Sequence, residues 1–414
     1  MNESPKVAII GGGAAGFFAA IALKERRPDV AVTIYEAQAR VLSKLALTGG
    51  GRCNLTNTFA GVKNLQDVYP RGARLMKKCF YELDQSAVWK WFERHHVKLY
   101  AQDDGRVFPV SNRAAEITEM FVDEALRLGV TVVTSHRLQR ILPSGGGYSL
   151  HFATMKTKIQ ADVVIMAVGG ISEQMECGTF LGLQLKTEPP IPSLFAFTIR
   201  EPQLCALSGM ACPQAIVRLP GTKFSARGDL LVTHFGLSGP AVLKLSSYAA
   251  RYLSDNKYRS LLSVNWTGRD EERVRMLLRQ AVQDNCLKQT GSVKWPGLSG
   301  RLWQHLLMRA DIEPAVVCAD IGKKQQNKLV NTLTNDEYMI GGKAANKDEF
   351  VTCGGVSLSA VSSNSMESTD YPGLYIIGEA LDVDAVTGGF NLQAAWTTAY
   401  AAARHIAISF CRQK

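Results

Sequence analysis

Apolar positions cluster at the two ends of the chain in short unbroken runs, each followed by glycine and then by a helical rhythm. Lys6 to Ile10 reads as a buried strand, and the Ala-rich stretch that runs to about Lys24 reads as a helix. Val30 to Tyr35 predicts a second strand. Val88, Trp91 and Phe92 fall on one helical face, and AQDDGRVFP (101–109) predicts a hairpin turning at Asp104-Gly105. ADVVIMAVGG (161–170) predicts a strand that ends in Gly-Gly. YPGLYIIGEALD (371–382) predicts another, ending at Gly378-Glu379 before a second glycine turn and a long helix.

The middle of the chain has a different texture. KTEPPIPSLFAF (186–197) carries three prolines and marks a crossing into a new unit. Residues 193 to about 266 alternate short apolar runs with turns and predict strands. His234 ends one of these, and Ser238 is expected to cap a helix that Pro240 starts. From Arg269 the pattern becomes helical, with Val274, Leu277, Leu278 and Ala281 at i, i+3, i+4 and i+7, and short helices follow at 299–310 and 322–333. The pattern predicts an α/β domain in two parts, 1–190 and 336–414. An insert at 191–335 separates them, β-rich over 191–267 and helical over 268–335.

The glycines decide the first piece of chemistry. Gly11, Gly13 and Gly16 form G-x-G-x-x-G between a strand and a helix, the context in which the motif carries meaning. The first glycine allows the tight turn, the second lets backbone N–H groups approach a pyrophosphate, and the third lets helix and strand pack closely. Phosphate then sits on the helix N-terminus. Glu36 follows twenty residues after Gly16, where its carboxylate can accept from ribose hydroxyls and repel a 2′-phosphate. This predicts an adenine dinucleotide. The closing strand–Glu379–glycine–helix unit resembles that of flavoproteins of the glutathione-reductase-like fold, in which the acid meets the ribityl hydroxyls and the helix N-terminus faces the flavin N1–C2=O edge, so FAD is expected over NAD.

Length and composition narrow the setting. At 414 residues two domains are expected, and 46% hydrophobic with 20% charged residues is ordinary for a globular protein. No apolar run approaches the ~20 residues that span a bilayer, and the first residues lack a signal-peptide pattern, so the expectation is a cytoplasmic protein without membrane contact. Nine cysteines without a C-x-x-C pair argue against disulfides, zinc and iron–sulfur clusters. Adjacent His95 and His96 turn apart on a helix, so no metal is expected. The net charge of +10, from 47 Lys plus Arg against 37 Asp plus Glu, favours anionic partners such as a phosphate-bearing cofactor. The basic residues are scattered and form no nucleic-acid module, which argues against nucleic acid as partner. Nothing in the sequence specifies an oligomeric state.

A second glycine stretch, KLALTGGGRCNLTN (44–57), can press backbone against a ring or phosphate and form an anion nest, with Arg52 beside it. Here the chain resembles a known group, the BaiN/YhiN-like (aminoacetone-oxidase-like) FAD-dependent oxidoreductases. The matching segments are TGGGRCNLTN, GRVFPVSNRA (105–114), THFGLSGPAVL (233–243), TCGGVSL (352–358) and MESTDYPGLYIIGEALDVDAVTGGFNLQAA (366–395), in the family's order along essentially the whole chain.

The resemblance implies one non-covalent FAD in a Rossmann-like domain of the glutathione-reductase-like kind, interrupted by an insert. Carried over position by position, it implies that Gly11, Gly13, Ala14, Ala15 and Gly16 cradle the pyrophosphate and that Glu36, with Ala37, takes the adenosine ribose. Lys44, Gly51, Arg52, Cys53 and Asn54 would line pyrophosphate and flavin, and Leu138, expected at a strand end, would offer its backbone to adenine. Val168, Gly169 and Gly170 join the cofactor's contacts, Gly378 and Glu379 meet the ribitol, and Gly389, Asn391 and Leu392 the pyrimidine edge.

No second strand-linked G-x-G-x-x-G occurs in the insert, so NAD(P)H is expected only as a transient donor. The expected reaction is hydride transfer through flavin N5 to or from a small organic substrate, such as reduction of a steroid- or bile-acid-like unsaturated ketone. An enone would leave an enolate needing a proton or oxyanion stabilisation, for which His234, Arg106 and Arg52 are the candidates. Each also has a purely structural reading: a loop-bonding histidine, an ion-paired arginine, a surface arginine. Cys53 reads first as a packed thiol beside the cofactor. Two alternatives remain, an oxidase of a small amine or ketone using oxygen, and an FAD-dependent RNA-modifying or RNA-binding protein.

Overall fold

The computed structural model describes residues 4–153, 158–171, 180–344 and 351–412. Cys177 and the expected return near residues 345–350 lie outside them. The chain divides into two compact units, residues 1–191 with 351–414, and residues 192–350.

The first unit is built on a five-stranded, all-parallel sheet. Its strands are β1 (Lys6–Ile10), β2 (Ala31–Tyr35), β3 (Thr131–Val133), β4 (Val163–Met166) and β5 (Leu374–Ile376), in the spatial order β5-β4-β1-β2-β3. β1 and β4 are buried along nearly their whole length, as a parallel sheet covered on both faces requires. The helices that matter for the site are α1 (Ala14–Arg26), α2 (Ser43–Gly51), α3 (Gln85–Arg94), α4 (Ala114–Arg127) and α5 (Phe390–Arg412). Phe18 on α1, Trp91 and Phe92 on α3, Phe121 on α4 and Trp396 on α5 meet in one aromatic cluster, with ring centroids 4.4–5.9 Å apart. Each such pair contributes about 0.5–1.5 kcal/mol beyond simple burial. That cluster joins the C-terminal helix to three N-terminal ones, so the last element of the chain packs beside the first.

The expected hairpin is present: Leu99–Ala101 pairs with Arg106–Pro109 around Gly105, whose φ is +81°. A second hairpin, Leu138–Ser144 with Gly147–Phe152, was not anticipated.

The second unit is a closed six-stranded antiparallel barrel, in the order 197–199, 236–238, 225–233, 211–218, 260–265, 336–343. Its helices include Pro240–Tyr248, Glu271–Asp284, Gly300–Arg309 and Lys323–Thr334. Two expectations change here. Asp336–Lys343 is the strand that closes the barrel, pairing with both 260–265 and 197–199, so the insert extends past residue 335. An open barrel would leave two bare edges, which is the physical reason the sixth strand belongs here. The helix begun by Pro240 is capped by Gly239, not Ser238, and lies within the stretch expected to be strand-rich.

Candidate functional site

The turn after β1 separates three glycine roles. Gly11 has φ +112°, and a Cβ there would lie 2.2 Å from the Ala167 carbonyl oxygen. A Cβ on Gly16 would lie 2.1 Å from the Gly11 oxygen, so only glycine lets α1 approach the turn. At Gly13, the residue preceding α1, a Cβ would meet nothing within 4 Å. The helix start therefore faces open space. No side chain caps it and no acidic residue lies in its first turn, which leaves the N–H groups around Ala14 and Ala15 and the positive dipole end for an anion.

Glu36 ends β2 with its carboxylate held by two backbone donors, Gly12 N–H at 2.8 Å and Gln38 N–H at 2.8 Å. Both bonds fix its orientation and leave lone pairs for a diol. Ala37 lies between them. The loop after β3 runs alongside, with Ser135 N–H donating to the Gln38 carbonyl and His136 N–H to the Glu36 carbonyl. Leu138 is not at the end of β3. It opens the 138–144 strand of the second hairpin with its side chain buried, and the backbone lying along Glu36 is that of 133–136.

The second glycine stretch is the end of a helix. Regular α2 breaks at Thr48, and Gly49, Gly50 and Gly51 then take φ of +59°, +67° and +80°. Side chains at Gly50 and Gly51 would meet nothing, whereas one at Gly49 would press on Asn54 N at 3.0 Å. Three left-handed residues in succession would strain any other residue type. Arg52 folds back, its Nε donating to the Gly49 carbonyl and its guanidinium 4.5 Å from the centroid of the Phe108 ring. Among the described residues it has no carboxylate partner.

β5 delivers the C-terminal half of the site. Gly378 has φ +65°, and its Cβ position lies 3.0 Å from the Ala15 methyl, so this turn abuts the start of α1. Glu379 accepts from Thr352 N–H at 2.9 Å and pairs with Lys44 Nζ at 2.7 Å. Val168 backs Gly11, Gly169 faces the Glu379 carboxylate, and a Cβ on Gly170 would lie 2.0 Å from Thr352 Oγ1. Five separate stretches of sequence thus converge: the first glycine turn, Lys44 on α2, Val168 to Gly170, Thr352, and Gly378-Glu379.

The start of α5 is held by a dense set of polar contacts. A Cβ on Gly389 would fall 2.2 Å from the Thr56 carbonyl oxygen. In its satisfied orientation the Asn54 amide accepts from Gly389 N–H at 3.0 Å and donates to the Thr56 and Val107 carbonyls. Asn391 exchanges two hydrogen bonds with the Ala385 backbone, at 2.9 and 3.0 Å. The side-chain amides of Asn54 and Asn391 thus hold the glycine loop. The backbone N–H groups of α5's first turn, around Asn391 and Leu392, are what that loop presents.

Several residues of this support are absent from the sequence reading. The fully buried Asp384 accepts from Arg71 Nε at one carboxylate oxygen and from Arg71 Nη2 at the other. Tyr69 donates to the Phe390 carbonyl at 2.8 Å, Thr56 to Gln393 at 2.5 Å, and Trp396 to the Leu55 carbonyl at 2.9 Å. A signal was present: the acids of LDVD lie in an apolar segment, where a carboxylate requires a partner.

Comparison with known proteins follows the same order along the chain. The model of the HI0933-like protein Rossmann domain matches residues 5–405. The chain belongs to the HI0933-like family. Curated relatives in this family include the ribosomal RNA dihydrouridine synthase of Escherichia coli (strain K12), 31% identical over 96% of this chain and 97% of the relative. The protein of the same name from Haemophilus influenzae is 29% identical over 98% and 99%. The 3-dehydro-bile acid delta(4,6)-reductase of Clostridium scindens is 27% identical over 96% and 98%. The chain is an FAD-dependent oxidoreductase of the HI0933-like family, and no described helix is long and apolar enough to cross a membrane.

This HI0933-like chain fits FAD on its own geometry: open space beyond Gly13, Gly50 and Gly51, a bare helix start, and an oriented acid at each end of the expected cofactor path. Its candidate acids and bases fare unequally. Arg106 is paired with Asp104 at 2.6 Å across the hairpin turn, which accounts for both residues structurally. His234 lies in the barrel unit at the turn between strands 225–233 and 236–238, exposed, with its ring against Phe235.

Cys53 is fully buried, and desolvation, only partly offset by a hydrogen bond with Thr48, pushes its thiol up to about 12. It is a packed thiol whose burial disfavours the thiolate. Iodoacetamide at pH 8 is expected to label exposed Cys286 and Cys411 in the native protein and to leave Cys53 unlabelled, as read by peptide mass spectrometry. Labelling of Cys53 at the rate of Cys286 would overturn this.

Glu25, His95 and Glu124 bring ligand-type atoms within 4.8 Å of one another. His95 Nε2 lies 3.3 Å from Glu25 and 3.6 Å from Glu124, with Nδ1 2.8 Å from the Trp91 carbonyl. Burial opposes charge on this imidazole, but the bonds to Glu25 and Trp91 and the two carboxylates outweigh it and raise its pKa. Arg127 already sits on both oxygens of Glu124, at 2.6 and 2.8 Å. The group is a cluster of one imidazole and two carboxylates that ties α1, the C-terminal end of α3 and α4 together.

Proposed function

We propose that this chain saturates a carbon–carbon double bond conjugated to a carbonyl, and that its substrate is a uracil base within RNA. The observation that carries the cofactor half is the convergence of the glycine turn, Lys44, Glu36 and Glu379 around open space in one unit. Support for the substrate half comes from the relatives' names. A dihydrouridine synthase saturates the C5=C6 bond of uridine, and a delta(4,6)-reductase of a 3-oxo bile acid saturates alkenes conjugated to its ketone. Both products arise from one operation, hydride addition to a conjugated alkene.

In this reading Gly11, Gly13, Ala14, Ala15 and Gly16 hold the FAD pyrophosphate, and Glu36 with Ala37 holds the adenosine ribose. Glu379, kept in position by Thr352 and Lys44, accepts from the ribityl hydroxyls. Gly51, Cys53, Val168, Gly169 and Gly170 line the path, and the backbone around 133–138 meets adenine. FAD, when bound, supplies a hydride from its N5 position. The first-turn N–H groups of α5 stabilise negative charge at the pyrimidine edge, which favours the reduced cofactor. Arg52, held over Phe108 and without a carboxylate partner among the described residues, would stabilise the developing oxyanion of the substrate carbonyl. NAD(P)H docks transiently as the donor.

The test is anaerobic reduction of the FAD-loaded protein with NADH or NADPH, followed by mixing with ribosomal RNA transcripts, an unsaturated bile-acid ketone, or air. The expected result is reoxidation by RNA together with dihydrouridine detected by nucleoside mass spectrometry. Reoxidation by the ketone alone would move the substrate to small molecules. Rapid reoxidation by air alone, with hydrogen peroxide released, would make the protein an oxidase and overturn the proposal.

A further inference from the structure

We propose that the barrel unit carries a docking site for an RNA sugar–phosphate backbone, formed by Arg218, Arg227, Arg269 and Arg273. The inference rests on the reading that the substrate is a base within RNA.

Strand register sets the first pair of arginines. Strands 211–218 and 225–233 run antiparallel with Ile216 opposite Arg227 and Arg218 opposite Ser225. Alternation turns Ala215, Val217 and Ala226 into the barrel and leaves Arg218 and Arg227 on its outer face. The other edge of strand 211–218 pairs with 260–265, placing Asn265 beside Ile216.

Asn265 then organises the loop that supplies the second pair. Its Oδ1 accepts from Thr267 and Gly268 N–H at 3.0 and 2.9 Å, and its Nδ2 donates to the Arg269 carbonyl at 2.7 Å. Gly268 has φ +64°, with its Cβ position 2.2 Å from the Gln214 carbonyl oxygen, so the loop has one tight path. Asp270 caps the helix Glu271–Asp284 by accepting from Arg273 N–H at 2.8 Å, and Arg227 donates to the Gly268 carbonyl.

The four arginines, with Ile216, Gly268 and Asp270, line a recess of about 630 Å³. All four are exposed. Among the described residues none of the four has a carboxylate within salt-bridge distance. Of the nearby acids, Asp270 lines the recess and caps the helix through Arg273 N–H, Glu271 pairs with Arg275 at 2.6 Å, and Asp229 accepts from Gln214 N–H at 3.1 Å. Four guanidiniums against the single carboxylate of Asp270 leave the recess with a net positive charge, and an anion relieves their mutual repulsion. Their spread over two strands, a loop and a helix suits successive phosphates along a chain better than one small anion. Each planar fork can bind a phosphate through two bonds, and Ile216 offers an apolar floor for a sugar or base.

The experiment uses the full FAD-loaded chain and a fluorescein-labelled stem-loop RNA, with binding followed by anisotropy across a salt series. The variant carries Arg218→Gln, Arg227→Gln, Arg269→Gln and Arg273→Gln. A control carries the same loss of charge elsewhere on the unit, at Lys257, Arg279, Lys323 and Lys324, each to Gln. The expected result is RNA affinity reduced by about 30-fold or more in the recess variant, and a salt slope smaller by about 3, since each phosphate contact contributes about 0.7–0.9. FAD content and NAD(P)H-driven reduction should be unchanged, and the control should bind RNA nearly as the parent does.

Equal losses in variant and control would reduce the effect to net charge and overturn the site. Unchanged RNA affinity in the recess variant, with dihydrouridine still formed in the same RNA, would overturn the site while the functional reading stands. A raised KM for NADPH with RNA affinity intact would assign the recess to the dinucleotide and overturn the proposal. A parent protein that neither binds nor reduces RNA would overturn both.

Discussion

Gly13→Glu is expected to give a folded but colourless protein. A Cβ at this position meets no protein atom within 4 Å, so the larger side chain enters open space without a clash at its base. That space lies at the start of α1, where the pyrophosphate is proposed to sit. Two like charges about 4 Å apart repel by ~1–4 kcal/mol at the dielectric of a protein surface, and the side chain adds bulk. FAD affinity should fall at least about 100-fold, with far-UV circular dichroism and melting temperature of the apoprotein little changed. Gly16→Ala provides the contrast. Its methyl would stand 2.1 Å from the Gly11 oxygen and force α1 away from the turn, so stability itself should drop. A Gly13→Glu protein that retains its full yellow complement would refute the placement of the phosphate.

Arg71→Ala is expected to produce the largest loss of stability in the cofactor unit. Asp384 is fully buried, and the Arg71 side chain beside it is only 14% exposed. Removing the arginine leaves a buried carboxylate without its main counter-charge, a defect that costs roughly 3–5 kcal/mol. For a unit of this size the melting temperature should fall by roughly 10 °C. FAD retention should fall as well, because residues 384–389 lead into the start of α5. The double variant Arg71→Met with Asp384→Leu should recover much of the stability, since removing both charges leaves neither uncompensated. A melting point for Arg71→Ala within about 2 °C of the parent would show that Asp384 is neutralised by other means.

Much of this architecture was legible along the chain because its signals are local. A strand, a tight turn and a helix within residues 6–26 need glycine at defined offsets, so the turn is visible without any partner. The same holds for β4 and β5, apolar runs that stop at glycine. The helices at 271–284, 300–309 and 323–334 followed from period alone. The largest misreading is non-local. Asp336–Lys343 belongs to the barrel because two distant strands need an edge partner, and no residue within it announces that. Asn54 reaches Gly389 N–H and the Val107 carbonyl as well as nearby Thr56, contacts that its own sequence neighbourhood does not announce.

The sequence by itself determined that an adenine-dinucleotide turn opens the chain and that an acid–glycine–helix unit closes it. Both depend on backbone conformations that only glycine adopts without strain, and glycine is readable by name. Tertiary structure alone decided which charges act together. Arg71 and Asp384 are 313 residues apart, Lys44 and Glu379 are 335 apart, and four arginines dispersed between positions 218 and 273 share one recess. Charge interactions depend on distance in space, which strand register and helix packing set and which spacing along the chain does not encode.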